Sequence, residues 1–307
     1  MNILIAGASG FIGTNLVRHL ALNHQITVIG RNFNKLQQLF GENISKLTFE
    51  HLANFDAINY DLIINLSGSN IGAKRWNPSI KHELIESRTK TNQQLVEWLI
   101  SQKATPRFFC ANAIGIYGAQ EISNNSFDES TPLPSTPNDF LQNICFAWEK
   151  SLQKAIDASI PVTTMRFGVV LKKNCGMLQK LELPFRLGLG SILGSGNQTL
   201  SWIHYQDLLN AIDFLIANPN IIGPVNITSP IPIIQKEFAQ LLAKSLGRML
   251  LFKTPSWFIK LIFGEMGEYL LLKGQKVIPK RLTEMGFKFT YPNMEMALLQ
   301  EYHPKNS

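Results

Sequence analysis

Apolar positions in the first half of the chain change period repeatedly, and each change marks a new element. Ile3, Leu4 and Ile5 form a run too short for a typical helix and read as a buried strand. Leu16, Val17, Leu20 and Ala21 then recur at helical spacing. The runs at 26–30 (ITVIG), 61–68 (DLIINLSG), 107–115 (RFFCANAIG) and 162–171 (VTTMRFGVVL) predict further strands. Between them, Ile80, Leu84, Leu95, Val96 and Leu99 share a helical face within 79–101. Phe140, Leu141, Ile144, Trp148, Leu152 and Ile156 do the same within 138–157. Strands alternating with helices predict a parallel sheet covered on both faces.

The second half patterns differently. Residues 184–200 (PFRLGLGSILGSGNQTL) are glycine-rich and predict loops or short turns near the carboxyl edge of the sheet. In open α/β sheets that edge binds ligands. GPVNITS (223–229) precedes an amphipathic helix around Lys236–Leu246. A C-terminal lobe then carries Trp257, Phe258, Leu261, Ile262, Phe263, Tyr269, Leu270 and Leu271. Gly264 and Gly267 interrupt that apolar stretch, so helical core packing or subunit contact is expected rather than an interfacial membrane helix. The domain expectation is therefore 1–230 for a nucleotide-binding domain, with 172–200 contributing to a substrate pocket, and 248–297 for a small helical domain.

Candidate chemistry begins in the first turn. Gly7, Gly10 and Gly13 stand between the first strand and the first helix. Gly7 permits a tight turn, Gly10 lets backbone N–H groups approach a pyrophosphate, and Gly13 lets the helix pack on the strand. The diphosphate then meets unpaired N–H groups at a helix N-terminus. The end of the second strand chooses the coenzyme. A carboxylate there would accept hydrogen bonds from the adenosine ribose of NAD. This chain has Gly30-Arg31-Asn32 instead, and a guanidinium can pair with a 2′-phosphate. NADP(H) is the expected cofactor, with Lys35 one turn further on as a second cation. The alternative for Arg31 is a solvated residue at a strand end.

Composition narrows the setting. The 307 residues are 45% hydrophobic and 17% charged, as in an ordinary globular protein. No apolar stretch reaches the roughly 18–20 residues that span a bilayer. The first strand begins at Asn2, which leads to the expectation of no leader. Cys110, Cys145 and Cys175 show no CxxC spacing, which suits a reducing cytoplasm. The net charge of +7 is scattered, without a basic run or interleaved aromatics, so it reads as a solvated surface that favours a phosphorylated cofactor. The implied partner is a small-molecule substrate, with no nucleic acid, no membrane span and no metal; a homodimer is the candidate assembly.

With these segments in place the chain resembles the extended short-chain dehydrogenase/reductase superfamily. More narrowly it resembles the bacterial "epimerase family protein" group, some members of which carry a cell-division-inhibitor label. The likeness runs through GASGFIG (7–13 with its flanks), INLSGSNIGAKRW (64–76), HELIESRTKTNQQLV (82–96), RFGVVL (166–171) and PFRLGLGSILGSGNQTLSWIHYQDL (184–208). GEMGEYLLLKGQKVIPKRL (264–282) and GFKFTYP (286–292) resemble the group's small C-terminal domain. The resemblance implies an α/β, Rossmann-like doubly wound parallel sheet with a smaller C-terminal substrate lobe. It implies that Gly7, Ser9, Gly10, Phe11, Ile12 and Gly13 line the diphosphate of NADP(H), and that Gly30 and Arg31 surround the adenosine phosphate. Leu66, Ser67 and Gly68 would pass under the adenine-ribose, while Glu83, Arg88 and Val170 approach the cofactor. Arg88 suits a second phosphate cation, and Glu83 suits the orienting of a donor.

The superfamily's proton relay, a Tyr and a Lys at i and i+4 with a Ser on a nearby strand, is missing. Counting back from Glu149 places Leu141 and Cys145 at the paired positions, and Asn112 stands where close relatives have Ser. Three functions remain open. The first is an NADP(H)-dependent oxidoreductase or epimerase with another proton donor. Tyr117 is its best candidate, with Asn112 polarising a carbonyl, although Tyr117 also reads as a loop tyrosine packed on Gly118 and Phe127. His204 and Asp207 are further candidates or, alternatively, anchors at a helix start, and Lys74, Arg75 and Arg186 are candidate anion contacts. The second is a non-catalytic NADPH-binding sensor, and the third a structural role through the C-terminal lobe.

Overall fold

The structure, a computed structural model, describes residues 1–122 and 125–303. Its first half alternates strand and helix, with α2 and β3 added to the elements the apolar pattern predicts: β1 (Asn2–Ala6), α1 (Phe11–Leu20), β2 (Gln25–Gly30), α2 (Phe33–Phe40), β3 (Ser45–Thr48), β4 (Leu62–Asn65), α3 (Pro78–Ser101) and β5 (Arg107–Ala113). There follow α4 (Phe140–Lys150), α5 (Gln153–Asp157) and β6 (Val162–Phe167). The second half adds β7 (Val169–Leu171), α6 (Gly176–Arg186), β8 (Ser191–Leu193), β9 (Thr199–Leu200), β10 (Trp202–His204), α7 (Tyr205–Ala217) and β11 (Gly223–Ile227). It closes with β12 (Ile233–Ile234), α8 (Gln235–Ser245), β13 (Phe252–Thr254), α9 (Ser256–Gly267), α10 (Lys280–Glu284) and α11 (Met294–Tyr302).

Seven strands form one sheet in the order β11-β6-β5-β4-β1-β2-β3, every pair parallel. The chain runs outward from β1 to β3 and then crosses to β4 on the other side of β1. The topological switch point therefore lies between β1 and β4, and in open α/β sheets ligands bind outside the carboxyl ends of such strands. Strands buried on both faces need continuous apolar runs, which Ile3–Ala6 and Leu62–Ile64 supply.

Three predicted elements are cut shorter or continue further. The 162–171 strand breaks at Gly168, where a Cβ would sit 2.9 Å from the Ser201 carbonyl oxygen, and β7 leaves the sheet to pair with β10. The 138–157 helix splits at Ser151, whose hydroxyl donates to the Trp148 carbonyl (2.6 Å) and accepts from Asn92 Nδ2 (2.9 Å). Ile156, expected on the shared apolar face, is 53% exposed in consequence. In 184–200, expected as loops and turns, α6 continues through Pro184 to Arg186 because Leu178 and Phe185 are held in a second core with Trp202, Phe238 and Leu298. No helix among the described residues is long and apolar enough to cross a membrane.

The C-terminal lobe is pinned by polar contacts. Asp207 accepts from the backbone N–H groups of Thr290 (2.7 Å) and Tyr291 (2.8 Å). His204 caps α7 by accepting from the Gln206 N–H (3.1 Å), and its Nε2 pairs with Glu301 at 2.8 Å. Glu301 also accepts from the Lys173 N–H (2.6 Å), two residues beyond β7. Burial alone would raise the Glu301 carboxyl, but the hydrogen bonds from His204 and Lys173 hold it below the usual carboxylate range. A depressed carboxylate stabilises above its unfolded pKa and loses that contribution as pH falls through the folded one. The melting-temperature gap between wild type and Glu301→Gln is thus expected to be constant at neutral pH. It should shrink as pH drops below about 4.

Candidate functional site

Two loops meet at the switch point. Gly7, with φ of +78°, turns the chain out of β1, and a Cβ there would lie 2.6 Å from the Leu66 carbonyl carbon. A Cβ on Gly13 would lie 2.3 Å from the Gly7 carbonyl oxygen, so α1 packs directly on the turn. Gly10 differs. A Cβ there would meet only the Gly7 oxygen, at 3.4 Å, and otherwise open space. Gly10 is the N-cap of α1, no side chain caps the helix, and its first turn holds no acidic residue. The leading N–H groups are thus left for an anion from outside. Gly176, beyond β7, lies beside this start: its Cβ would be 3.6 Å from the Phe11 ring and 3.7 Å from the Val170 carbonyl oxygen. Phe11 at the start of α1 and Val170 of β7 therefore flank Gly176.

The β4 loop is held from α3. Arg88 donates to the Ser69 carbonyl (3.0 Å) and the Leu84 carbonyl (2.8 Å), and its carbon Cζ would lie 3.1 Å from a Cβ on Gly68. Ser87 accepts from the Ser69 N–H (3.0 Å), and Glu83 accepts from the Ser69 hydroxyl (3.3 Å). Ser67 donates its N–H to Asn65 (2.9 Å). Arg88 is buried, has no ion-pair partner among the described residues, and its Nε has no hydrogen-bond partner. Burial pushes its guanidinium down to about 10. An unpaired buried cation beside a glycine cradle fits a bound anion.

At the end of β2, Asn32 is committed to capping α2 by accepting from the Lys35 N–H (2.9 Å). Arg31 is exposed and has no hydrogen bond or ion pair among the described residues. Gly30 is backed by Leu36, whose Cδ1 would be 3.3 Å from a Cβ. The charge presented at the carboxyl end of β2 is therefore a free guanidinium. These residues fit a dinucleotide with an extra phosphate.

Register builds a different constellation two strands away. Asn112, Arg166 and Asn226 occupy paired positions on β5, β6 and β11, and all three are buried. Arg166 forms a two-pronged pair with Glu149 of α4, Nε to Oε1 at 2.9 Å and the terminal nitrogen to Oε2 at 3.1 Å. It also donates to the Tyr117 hydroxyl (2.9 Å), which donates onward to Asn226 (2.9 Å). Burial pushes the Tyr117 phenol above the ordinary tyrosine range despite the pull of Arg166. Its ring stacks on Phe127 at 5.4 Å. Asn112 donates to the Cys145 carbonyl (3.2 Å) and to Glu149 (3.0 Å), and accepts from the Ala113 N–H (2.8 Å). Both residues are thus engaged within the protein.

Leu141 and Cys145 face Gly115, whose Cβ would lie 3.2 and 3.4 Å from them. Burial pushes the Cys145 thiol up to about 12, so it holds its proton. His204 and Asp207 anchor the C-terminal lobe as described, Arg186 pairs with Glu182 at 2.8 Å, and Lys74 and Arg75 are exposed. Among the described residues no metal-binding group of His, Cys, Asp or Glu is gathered. The pair of buried Arg166 with half-buried Glu149 was not singled out from sequence. Its signal is a charged residue inside the otherwise uncharged strand VTTMRF.

The description "NAD dependent epimerase/dehydratase family" matches residues 3–228, and a domain of unknown function, DUF1731, matches 254–301. Epimerase family protein SAR0825 of Staphylococcus aureus is 36% identical over 300 residues, covering 96% of this chain and 97% of the relative. Epimerase family protein YfhF of Bacillus subtilis is 32% identical, covering 98% and 97%. The crystal structure of human epimerase family protein SDR39U1 (isoform 2) with NADPH aligns with a TM-score of 0.86 at 31% identity, over 98% of this chain and 99% of that one. UDP-glucuronic acid 4-epimerase from Bacillus cereus in complex with NAD shares the fold, at 18% identity, a TM-score of 0.74, and coverage of 99% and 96%. The chain belongs to the NAD dependent epimerase/dehydratase family, in its atypical short-chain dehydrogenase/reductase group that ends in the DUF1731 domain.

Proposed function

We propose that the protein binds NADP(H) at the β1–β4 switch point and acts as an epimerase-like oxidoreductase on a small polar molecule, without a Tyr-x-x-x-Lys pair. The bound nicotinamide would supply hydride exchange. The chain's own residues bind and orient: Phe11, Ile12 and Gly13 offer backbone N–H groups to the diphosphate, while the Gly10 N–H closes the turn on the Gly7 carbonyl at 3.1 Å. Arg31 grips the adenosine phosphate, and Arg88 supplies a second cation behind Gly68. Residues 172–200 and the lobe at 248–297 frame the substrate side.

The observation that carries this reading is Arg31, free at the end of β2 where a carboxylate would select the unphosphorylated coenzyme. The NADPH in the human neighbour supports it. Its test is Arg31→Ala: NADPH affinity by calorimetry is expected to fall about tenfold or more, since a charge-assisted bond contributes about 1.5–3 kcal/mol, with NADH affinity unchanged. Equal losses for both coenzymes would remove Arg31 from recognition.

A second reading, a non-catalytic NADPH sensor, is favoured by the saturation of Tyr117 and Asn112 within the protein. Tyr117→Phe separates the roles. A network role predicts a lowered melting temperature with NADPH affinity, and any turnover, retained; a proton-donor role predicts loss of turnover at unchanged affinity.

A further inference from the structure

We propose that the face built by α9 and the turns beside it docks on the surface of an anionic lipid bilayer. Core packing, one of the two expectations for this stretch beside subunit contact, holds for Tyr269 and Leu270 against the Trp76 cluster but not along α9. Only Ile259 of the helical run 256–263 is buried, at 2% exposed, and it fixes α9 flat on the lobe. Trp257 is 67% and Leu261 65% exposed; one helical turn apart, they form an outward stripe between Lys260 and Phe258. Gly264, with φ of +59°, ends the stripe.

The neighbouring strand extends the patch. β13 pairs with β8, and Arg248 donates to the Arg186 carbonyl at 2.7 Å, so the turn after α6 and the turn before β13 lie together. Leu187, Leu189, Met249 and Leu251 are each 60% exposed or more. Exposed large apolar side chains gathered on neighbouring elements in this way are uncommon on a soluble domain and mark a contact face.

Charge chooses the occupant. The segments 183–200 and 246–263 carry Arg186, Arg248, Lys253 and Lys260 and contain no Asp or Glu. Carboxylates enter at the rim, where Glu182 pairs with Arg186, Glu268 with Lys260, and Glu265 near the end of α9 with Lys81, which leaves Arg248 and Lys253 as the cations with no ion pair among the described residues. A twofold dimer through this face would set the patch against itself and bring like cations together. Apolar tips that enter the acyl boundary, with basic side chains at headgroup level, instead complement anionic lipid.

The full chain carries its own reporter. Trp76, Trp98, Trp148 and Trp202 are buried, so Trp257 is the solvent-exposed tryptophan. Vesicles of equal parts phosphatidylcholine and phosphatidylglycerol are expected to blue-shift its emission and to carry the protein in flotation. Pure phosphatidylcholine vesicles should bind more weakly, and added salt should weaken the anionic case. Leu261→Asp, at an exposed position, should reduce binding about tenfold or more while melting temperature and NADPH affinity persist. No shift and no flotation with the anionic vesicles would overturn the proposal. So would sedimentation showing a dimer in which Trp257 is shielded.

Discussion

Gly13→Ala is expected to lower the melting temperature and to weaken NADPH binding more than about tenfold. Its added methyl would stand 2.3 Å from the Gly7 carbonyl oxygen and 2.7 Å from Ala8 Cα, both backbone atoms. Neither can rotate aside, so α1 must back away from the β1 turn, and overpacking of this kind costs about 1–3 kcal/mol. The leading N–H groups of α1 would move with it. Gly10→Ala is the control, because its methyl meets only the Gly7 oxygen at 3.4 Å and its φ of −84° suits any residue. The fold should therefore tolerate it, with the methyl projecting into the opening assigned to the diphosphate. Unchanged melting temperature with lost NADPH affinity is the expected signature; thermal denaturation beside calorimetry reads both. If Gly10→Ala binds NADPH normally, the diphosphate lies elsewhere.

Glu149→Ala is expected to cost about 3–5 kcal/mol, roughly 5–10 °C in melting temperature, because it strands a buried guanidinium. The Arg166 side chain is 4% exposed and loses both prongs of its pair. Asn112 loses an acceptor in the same step. Glu149→Gln keeps one acceptor and the shape of the side chain, so it should cost less. If the alanine variant melts with the wild type, the buried row is not holding β5, β6 and β11 in place as described.

Much of this fold is legible in the chain. Apolar runs and helical spacings locate the core strands and α3, because burial on both faces of a parallel sheet leaves little choice of residue. The glycine turn is legible because Gly7 and Gly13 meet a local backbone requirement that their spacing exposes. Breaks at Gly168 and Ser151 were not legible, since they depend on partners distant in sequence, the Ser201 carbonyl and Asn92. The row of Asn112, Arg166 and Asn226 arises only from register between strands 54 and 60 residues apart (166−112 and 226−166). Helical apolarity in α9 predicts core packing or subunit contact, and within the chain only Ile259 and Gly267 of that helix are buried.

The central claim is that a phosphorylated dinucleotide seats at the switch point with its extra phosphate on Arg31. Titration calorimetry of the wild-type chain with NADPH and, separately, NADH tests it most directly. The account predicts saturable heat for both, with NADPH bound about tenfold tighter or more, the difference vanishing in Arg31→Ala. Equal affinities in the wild type, tighter NADH, or no heat from either coenzyme would contradict it.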